Sequence, residues 1–305
     1  MSKLPISVII DDFAPVIHMS YEERANRLTT DGRPLLPSIP YEFLMRFCEV
    51  VEKHSVKGKL SMVPLPGTHN PYETKDGERW LRPIHDILEK RFSFCPEMIT
   101  HTKTLDLETG RYIDIKENEW SHTQDEDTLC DYIAYALALE KKLGFDVNGV
   151  TSPLNFGKED VPKYERAISR AFDRALGKKD AWYFLKTIRD SRPEKVLDED
   201  GRRLCAIHST TNDFFWESID SGLDGEAYAK KMASGFLSED GSTGQIRYTI
   251  DAGGHPVFLT HWQALFSNGC GVGLRAFDIL LSRIEENLPE CEFKSFDEKM
   301  RDTLK

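Results

Sequence analysis

Two acids stand side by side at Asp11 and Asp12, directly after the apolar run Ile6-Ser7-Val8-Ile9-Ile10 and just before Phe13-Ala14-Pro15. Adjacent like charges at the end of a strand are costly unless a cation or a proton is shared between them. Three histidines close later apolar runs: His101, His208 and His261. One carboxylate with two imidazoles is a common ligand set for zinc and for other divalent metals. Such an ion lowers the pKa of its bound water to about 7 and so provides a nucleophile at neutral pH. These residue types point to hydrolysis with a divalent metal, zinc being the expected ion.

For the groups to meet, the runs that carry them must be strands whose carboxyl ends share one face, as in barrel and doubly wound folds. The run 6–10 is short and β-branched, as a buried parallel strand is. Successive strand residues point to opposite faces, so both acids reach one cleft only where the strand gives way to a turn. Further strands are expected over 59–63, 97–100 (ending at His101), 148–151, 181–188, 203–208, 246–250 and 256–260 (ending at His261). Helical periodicity is expected over 41–54, 80–92, 125–143, 160–176, 227–236 and 272–287. This alternation predicts an α/β fold with six to eight strands, mostly parallel and joined by right-handed crossovers. Alternation on both sides of Gly110 predicts a β-hairpin. A chain of 305 residues can form one large α/β domain or two smaller ones.

A formal net charge of -11 over 305 residues argues against a nucleic-acid partner, which favours a basic stripe. No stretch approaches the roughly 20 apolar residues that span a bilayer, and residues 1–5 carry no apolar signal core, so a cytoplasmic protein without a membrane partner is expected. The six cysteines are scattered and form no CxxC, which reads as reduced thiols rather than a zinc knuckle. No Gly-rich phosphate loop follows the first strand, and a dinucleotide fold loses its main support.

Ile9-Ile10-Asp11-Asp12-Phe13-Ala14-Pro15 resembles the opening motif of the polysaccharide deacetylase (NodB-homology) superfamily, an apolar strand ending in Asp-Asp with a Pro close behind. The family's second motif is His-Ser/Thr-x-x-His. His101-Thr102 resembles its start, but Leu105 stands where the second His belongs, and Trp120-Ser121-His122 resembles its other half. A hairpin returns to where it left, so His122 is expected beside His101. Ser152-Pro153-Leu154-Asn155-Phe156-Gly157 lies where the family has Arg-x-Pro-Tyr-Gly, without the Arg; Asn212-Asp213-Phe214-Phe215-Trp216 weakly matches an Asp and Trp motif; Leu259-Thr260-His261 resembles the closing Leu-x-His, with Trp262 in place of the usual Asp.

The resemblance implies a single domain over 1–305, a deformed (β/α) barrel of about seven parallel strands with its site at the strand ends, a hairpin inserted near 103–116 and a short C-terminal extension near 289–305. It further implies removal of an acetyl group from an amino sugar or a related carbohydrate. Asp11 would be the general base, Asp12, His101 and His122 the metal ligands, and His261 the general acid. Trp120, Ser152, His208, Asp213, Trp216 and Trp262 would meet a small or oligomeric carbohydrate, the tryptophans by stacking on sugar rings. The bland readings stay open beside these. His122 is as readily a solvated residue near a helix start, His69 is a weaker third ligand and His18 a weaker one still, and a Trp is more often packed core. Two other functions also stay open: a glycoside hydrolase pairing Asp11 or Asp12 with Asp213 across roughly 5–10 Å, without metal, and a carbohydrate-binding barrel without catalysis.

Overall fold

The computed structural model describes residues 3–17, 26–66 and 70–305, so His18 and His69 lie outside the described residues. In chain order the first strands are β1 (Leu4–Phe13), β2 (Gly58–Met62), β3 (Phe92–Pro96), β4 (Lys103–Asp106) and β5 (Arg111–Lys116). Then come β6 (Gly149–Thr151), β7 (Asp180–Phe184), β8 (Glu194–Glu199), β9 (Arg202–Ala206), β10 (Val257–His261) and β11 (Cys291–Phe293).

β1 is the centre of the larger sheet, whose order is β10-β1-β2-β3, with β11 also on β1. Its residues from Ile6 to Phe13 are all buried, which explains the unbroken apolar run. β10 pairs with it in parallel from Ser7↔Val257 to Asp11↔His261. On the other side β2 pairs from Val8↔Gly58 to Ile10↔Leu60, and the register then shifts before Phe13↔Met62. Gly58 is required at this approach, since a Cβ there would meet the Val8 carbonyl oxygen at 1.9 Å. The shift falls at the two acids, and Asp12 takes a left-handed φ of 61°. An extra residue in one strand bends it and re-aims side chains, so adjacent carboxylates reach the same cleft.

The second sheet has the order β6-β7-β9-β8, parallel except for β8, which is antiparallel to β9. Inside the curve of the two sheets lies a small core of Ile9, Cys95, Trp182, Cys205, Ile207 and Val257. Phe296 and Met300, of the helix Phe296–Thr303, close this core, and Trp182 Nε1 donates to Asp297 Oδ1 at 2.6 Å. Helices pack outside, including Tyr41–His54, which buries Phe43, Leu44, Phe47 and Val51, and the paired helices Glu126–Lys142 and Val161–Leu176.

The α/β pattern and the parallel strands thus agree with the sequence, but the strands do not run as one continuous ring. Among the described residues no ladder joins β3 to β6 or β9 to β10. The second gap is bridged by single contacts such as Thr210 N–H to the Val257 carbonyl, 2.7 Å. Several expected elements differ, among them the helix expected over 80–92, which is Lys75–Pro83 followed by a π turn at Ile84–Leu88. Residues 245–251 are helical, with Ile246 and Thr249 turned inward. The third strand is Phe92–Pro96, not 97–100, so Glu97 opens the loop after the strand.

Candidate active site

A cavity of about 500 Å³ opens at the carboxyl ends of β1, β3, β7 and β10. Asp11, Asp12, Glu97, His101, Ser152, Trp216 and His261 are among its lining residues. Three of them converge. His101 Nε2 lies 3.2 Å from Asp12 Oδ1 and 3.4 Å from Glu97 Oε1. The ligand atoms of Asp12, Glu97 and His101 all fall within 4.8 Å of one another. The remaining oxygens of the two acids are tethered. Asp12 Oδ2 accepts from Gln263 Nε2 at 3.0 Å, and Glu97 Oε2 accepts from the Asp12 N–H at 2.9 Å.

The loop that carries Glu97 and His101 is unusual. Met98 and His101 both have left-handed backbone, with φ of 50° and 67°. Such conformations cost about 1–3 kcal/mol each and persist only where the surroundings enforce them. Here Glu117 enforces them. Its buried Oε1 accepts the N–H groups of Ile99 and Thr100, both at 3.0 Å, and the Tyr132 hydroxyl at 2.6 Å. Its Oε2 accepts the His101 N–H at 2.7 Å.

Asp11 is held separately. Its Oδ1 accepts from the Lys59 ammonium and from Ser61 Oγ, the latter at 2.6 Å. Lys59 and Ser61 lie two apart on β2 and so share a face. Lys59 is fully buried, and it also donates to Thr151 Oγ1 and, at 3.3 Å, to Ser61 Oγ. All three ammonium protons thereby have acceptors, which a buried charge requires. Ser61 Oγ also lies 2.8 Å from Glu97 Oε2 and joins the two halves of the site.

The electrostatics follow. Burial raises the Asp11 carboxyl above its ordinary range, against the pull of Lys59. Burial also works to raise Glu97, but His101 and Lys59 overcome it and hold this carboxyl low. Burial would lower the His101 imidazole, yet Asp12 and Glu97 push it up to about 10. On the far side, His261 Nδ1 is 2.8 Å from Asp213 Oδ2. Burial opposes its charge, but Asp213, with Asp12 and Asp11 behind it, raises it to about 9. The Trp216 ring meets His261 edge-on, centroids 4.6 Å apart, and is half exposed at the cavity.

The donor chemistry fits a divalent cation. Asp12, Glu97 and His101 turn two carboxylate oxygens and one imidazole nitrogen toward one another, and two carboxylates with one imidazole are ligands such ions accept.

Of the residues singled out in the sequence, Asp11, Asp12, His101, Ser152, Trp216 and His261 line the cavity. Ser152 Oγ is paired with the Tyr164 hydroxyl at 2.8 Å. Asp213 is not in the lining and acts through His261. His122 is not in the group formed by Asp12, Glu97 and His101. The hairpin does return to its origin, but the residue it brings back is Glu117, whose N–H reaches the Thr102 carbonyl at 3.0 Å; His122 follows the short helix Glu117–Ser121 and lies beyond. Trp120 packs on Tyr132, centroids 4.5 Å apart, and borders a separate depression beside the hairpin. Trp262 is fully buried among Phe13, Phe43 and Phe47, so it cannot meet a sugar. His208 is buried outside the cavity lining, and burial with Lys186 nearby lowers it to about 4.

Glu97, Lys59, Ser61, Glu117 and Gln263 escaped the sequence reading. For Glu97 a signal existed: Glu97-Met98-Ile99-Thr100-His101 has the spacing of His-Ser/Thr-x-x-His with Glu in the first place. His101 thus corresponds to the motif's second histidine rather than its first.

No protein-family model matches the chain, and no curated protein matches it in sequence. Solved structures do match. The allantoinase PuuE superposes with a TM-score of 0.57 at 10% identity, over 98% of this chain and 90% of its own. A putative polysaccharide deacetylase from Mycobacterium smegmatis gives 0.51 at 14% identity, over 86% and 77%. A mutant of a CE4 family pseudoenzyme gives 0.50 at 12% identity, over 98% and 67%. This is the polysaccharide deacetylase fold. At such identities the likeness is one of fold, and the deacetylase fold is also carried by a protein described as a pseudoenzyme, so activity must be argued from the residues.

Proposed function

We propose that this chain is a metal-dependent hydrolase that removes an acyl group, an acetyl in the simplest case, from the nitrogen of an amino sugar or a related carbohydrate. The observation that carries the reading is the meeting in one cavity of a tethered acid, Asp11, a cation-binding trio, Asp12, Glu97 and His101, and a charged imidazole, His261.

Asp12, Glu97 and His101 would hold the ion. When bound, it supplies Lewis acidity toward a carbonyl oxygen and makes water more acidic. Asp11, with Oδ1 fixed by Lys59 and Ser61, offers its other oxygen as the base that takes a proton from the attacking water. The water oxygen bonds to the acyl carbon, and the bond from that carbon to nitrogen breaks. His261, kept charged by Asp213, gives its proton to the departing amine. Lys59 takes the orienting role of the Arg that the family motif has and this chain lacks. Trp216 presents a flat apolar face of the kind that packs against a sugar ring. The carboxylate-only alternative has less support, since Asp213 is turned to His261 and lies outside the cavity lining.

The test is metal content by elemental analysis together with release of acetate from N-acetylated sugars. About one divalent ion per chain, lost in Asp12→Ala, with acetate release abolished in Asp11→Asn, is expected. A protein that binds no divalent ion after reconstitution would overturn the reading.

A further inference from the structure

Resting on the hydrolase reading, we infer that Glu97 tunes the ion site toward a hard divalent cation of the manganese or magnesium kind and away from zinc. The donor atoms can be assigned one by one. Asp12 commits Oδ2 to Gln263, and Glu97 commits Oε2 to the Asp12 N–H and to Ser61. The oxygens turned to His101 Nε2 are therefore Asp12 Oδ1 and Glu97 Oε1, one from each acid. The trio is two anionic oxygens and one imidazole nitrogen.

Glu97 occupies the place where the family motif has a histidine. The exchange replaces a neutral, borderline donor by a charged, hard one. Carboxylate oxygen suits magnesium, calcium and manganese, whereas imidazole suits zinc, copper and nickel. The extra charge adds attraction for any divalent ion, but loss of a nitrogen removes the feature that most favours zinc. The rigid setting preserves the difference, because the Asp12 N–H fixes the Glu97 carboxylate, and Glu117 fixes the backbone of His101.

The experiment is calorimetric titration of chelator-stripped protein with manganese and with zinc, in the wild type, Glu97→His and Glu97→Gln. The ratio of the two dissociation constants is the readout, so turnover is not needed. Glu97→His is expected to move the ratio toward zinc on the order of tenfold or more. Glu97→Gln keeps the size of the side chain and removes its charge, and is expected to weaken manganese more than zinc. An unchanged ratio in a folded Glu97→His protein that still binds both ions would overturn the inference and leave the hydrolase reading standing. If Glu97→His does not fold, equal weakening of both ions in Glu97→Gln overturns it. Failure of the wild type to bind either ion overturns the hydrolase reading and this inference with it.

Discussion

The ammonium of Lys59 on β2 donates to Oδ1 of Asp11 on β1, with Lys59 fully buried and Asp11 nearly so. Cutting one partner out of a buried ion pair leaves the other charge uncompensated, at about 3–5 kcal/mol. Lys59→Met is therefore expected to lose about that much stability in urea unfolding, with Thr151 and Ser61 also left short of a donor. A loss below about 1 kcal/mol, the range of an exposed pair, would show that Asp11 does not need the ammonium.

Asp11 and Asp12 are neighbours in sequence with different tasks, and single substitutions should separate them. Asp11→Asn is expected to lower turnover by about 10²–10⁴-fold, the usual worth of a positioned base, at unchanged metal content. Asp12→Ala is expected to lose the metal. Equal metal loss in both variants would remove Asp11 from the role of base.

Glu117 is not itself a lining residue of the cavity, yet it gathers the consecutive N–H groups of Ile99, Thr100 and His101. Glu117→Ala orphans those donors and releases two left-handed residues. Metal affinity should fall about 10–100-fold, the effect typical of outer partners of a ligand. Affinity within twofold of the wild type would make the loop self-supporting.

His261 must be charged to act as an acid. Its pKa is raised to about 9, so the protonated form is present below that pH and is lost as pH rises through it. The basic limb of the pH-rate profile should accordingly fall near pH 9. Asp213→Asn takes away the main group that raises it, and the limb should move to lower pH. A limb that stays in place in Asp213→Asn would assign it to another group.

Glu140 lies in the helix Glu126–Lys142 with neither carboxyl oxygen hydrogen-bonded among the described residues. Burial raises its pKa well above the ordinary value, so the fold favours the protonated form. Its contribution to stability is complete below the unfolded value of about 4.3 and declines as pH rises toward the folded value. At pH 7 Glu140→Leu should be more stable than the wild type by about 1–3 kcal/mol, and the gap should shrink on acidification. A destabilised variant at pH 7 would mean the carboxyl has a structural partner.

Much of this was legible in the chain itself. An apolar β-branched run that ends in two acids has few placements other than a buried strand with its end at a cleft, and His261 follows the same logic. Glu97 is not legible as a partner of His101 because the sequence places the third strand at 97–100, five residues late. The expected helix over 80–92 takes in Phe92, the first residue of the alternating strand Phe92-Ser93-Phe94-Cys95-Pro96, whereas the chain gives way to a π turn after Pro83; and a Pro inside a strand argues against one. With the strand set at 97–100, Glu97 pointed nowhere in particular. Lys59 was invisible for another reason: lysine is almost never fully buried, and only the three-dimensional company of Asp11, Thr151 and Ser61 makes it so. Trp262 shows the opposite failure, a residue chosen for its chemistry that the aromatic core had claimed.

β1 takes its neighbours from distant parts of the chain, β2 early, β10 and β11 near the end, and the helix after β11 closes the interior core. In folding, then, bringing His261 alongside Asp11 closes a much longer loop than joining β1 to β2 does. Until that loop closes, one flank of β1 is open. The chain should depend on holdase chaperones while it is being made, and it should gain its ion-binding trio from β1 to β3 well before it gains the imidazole that completes the cleft.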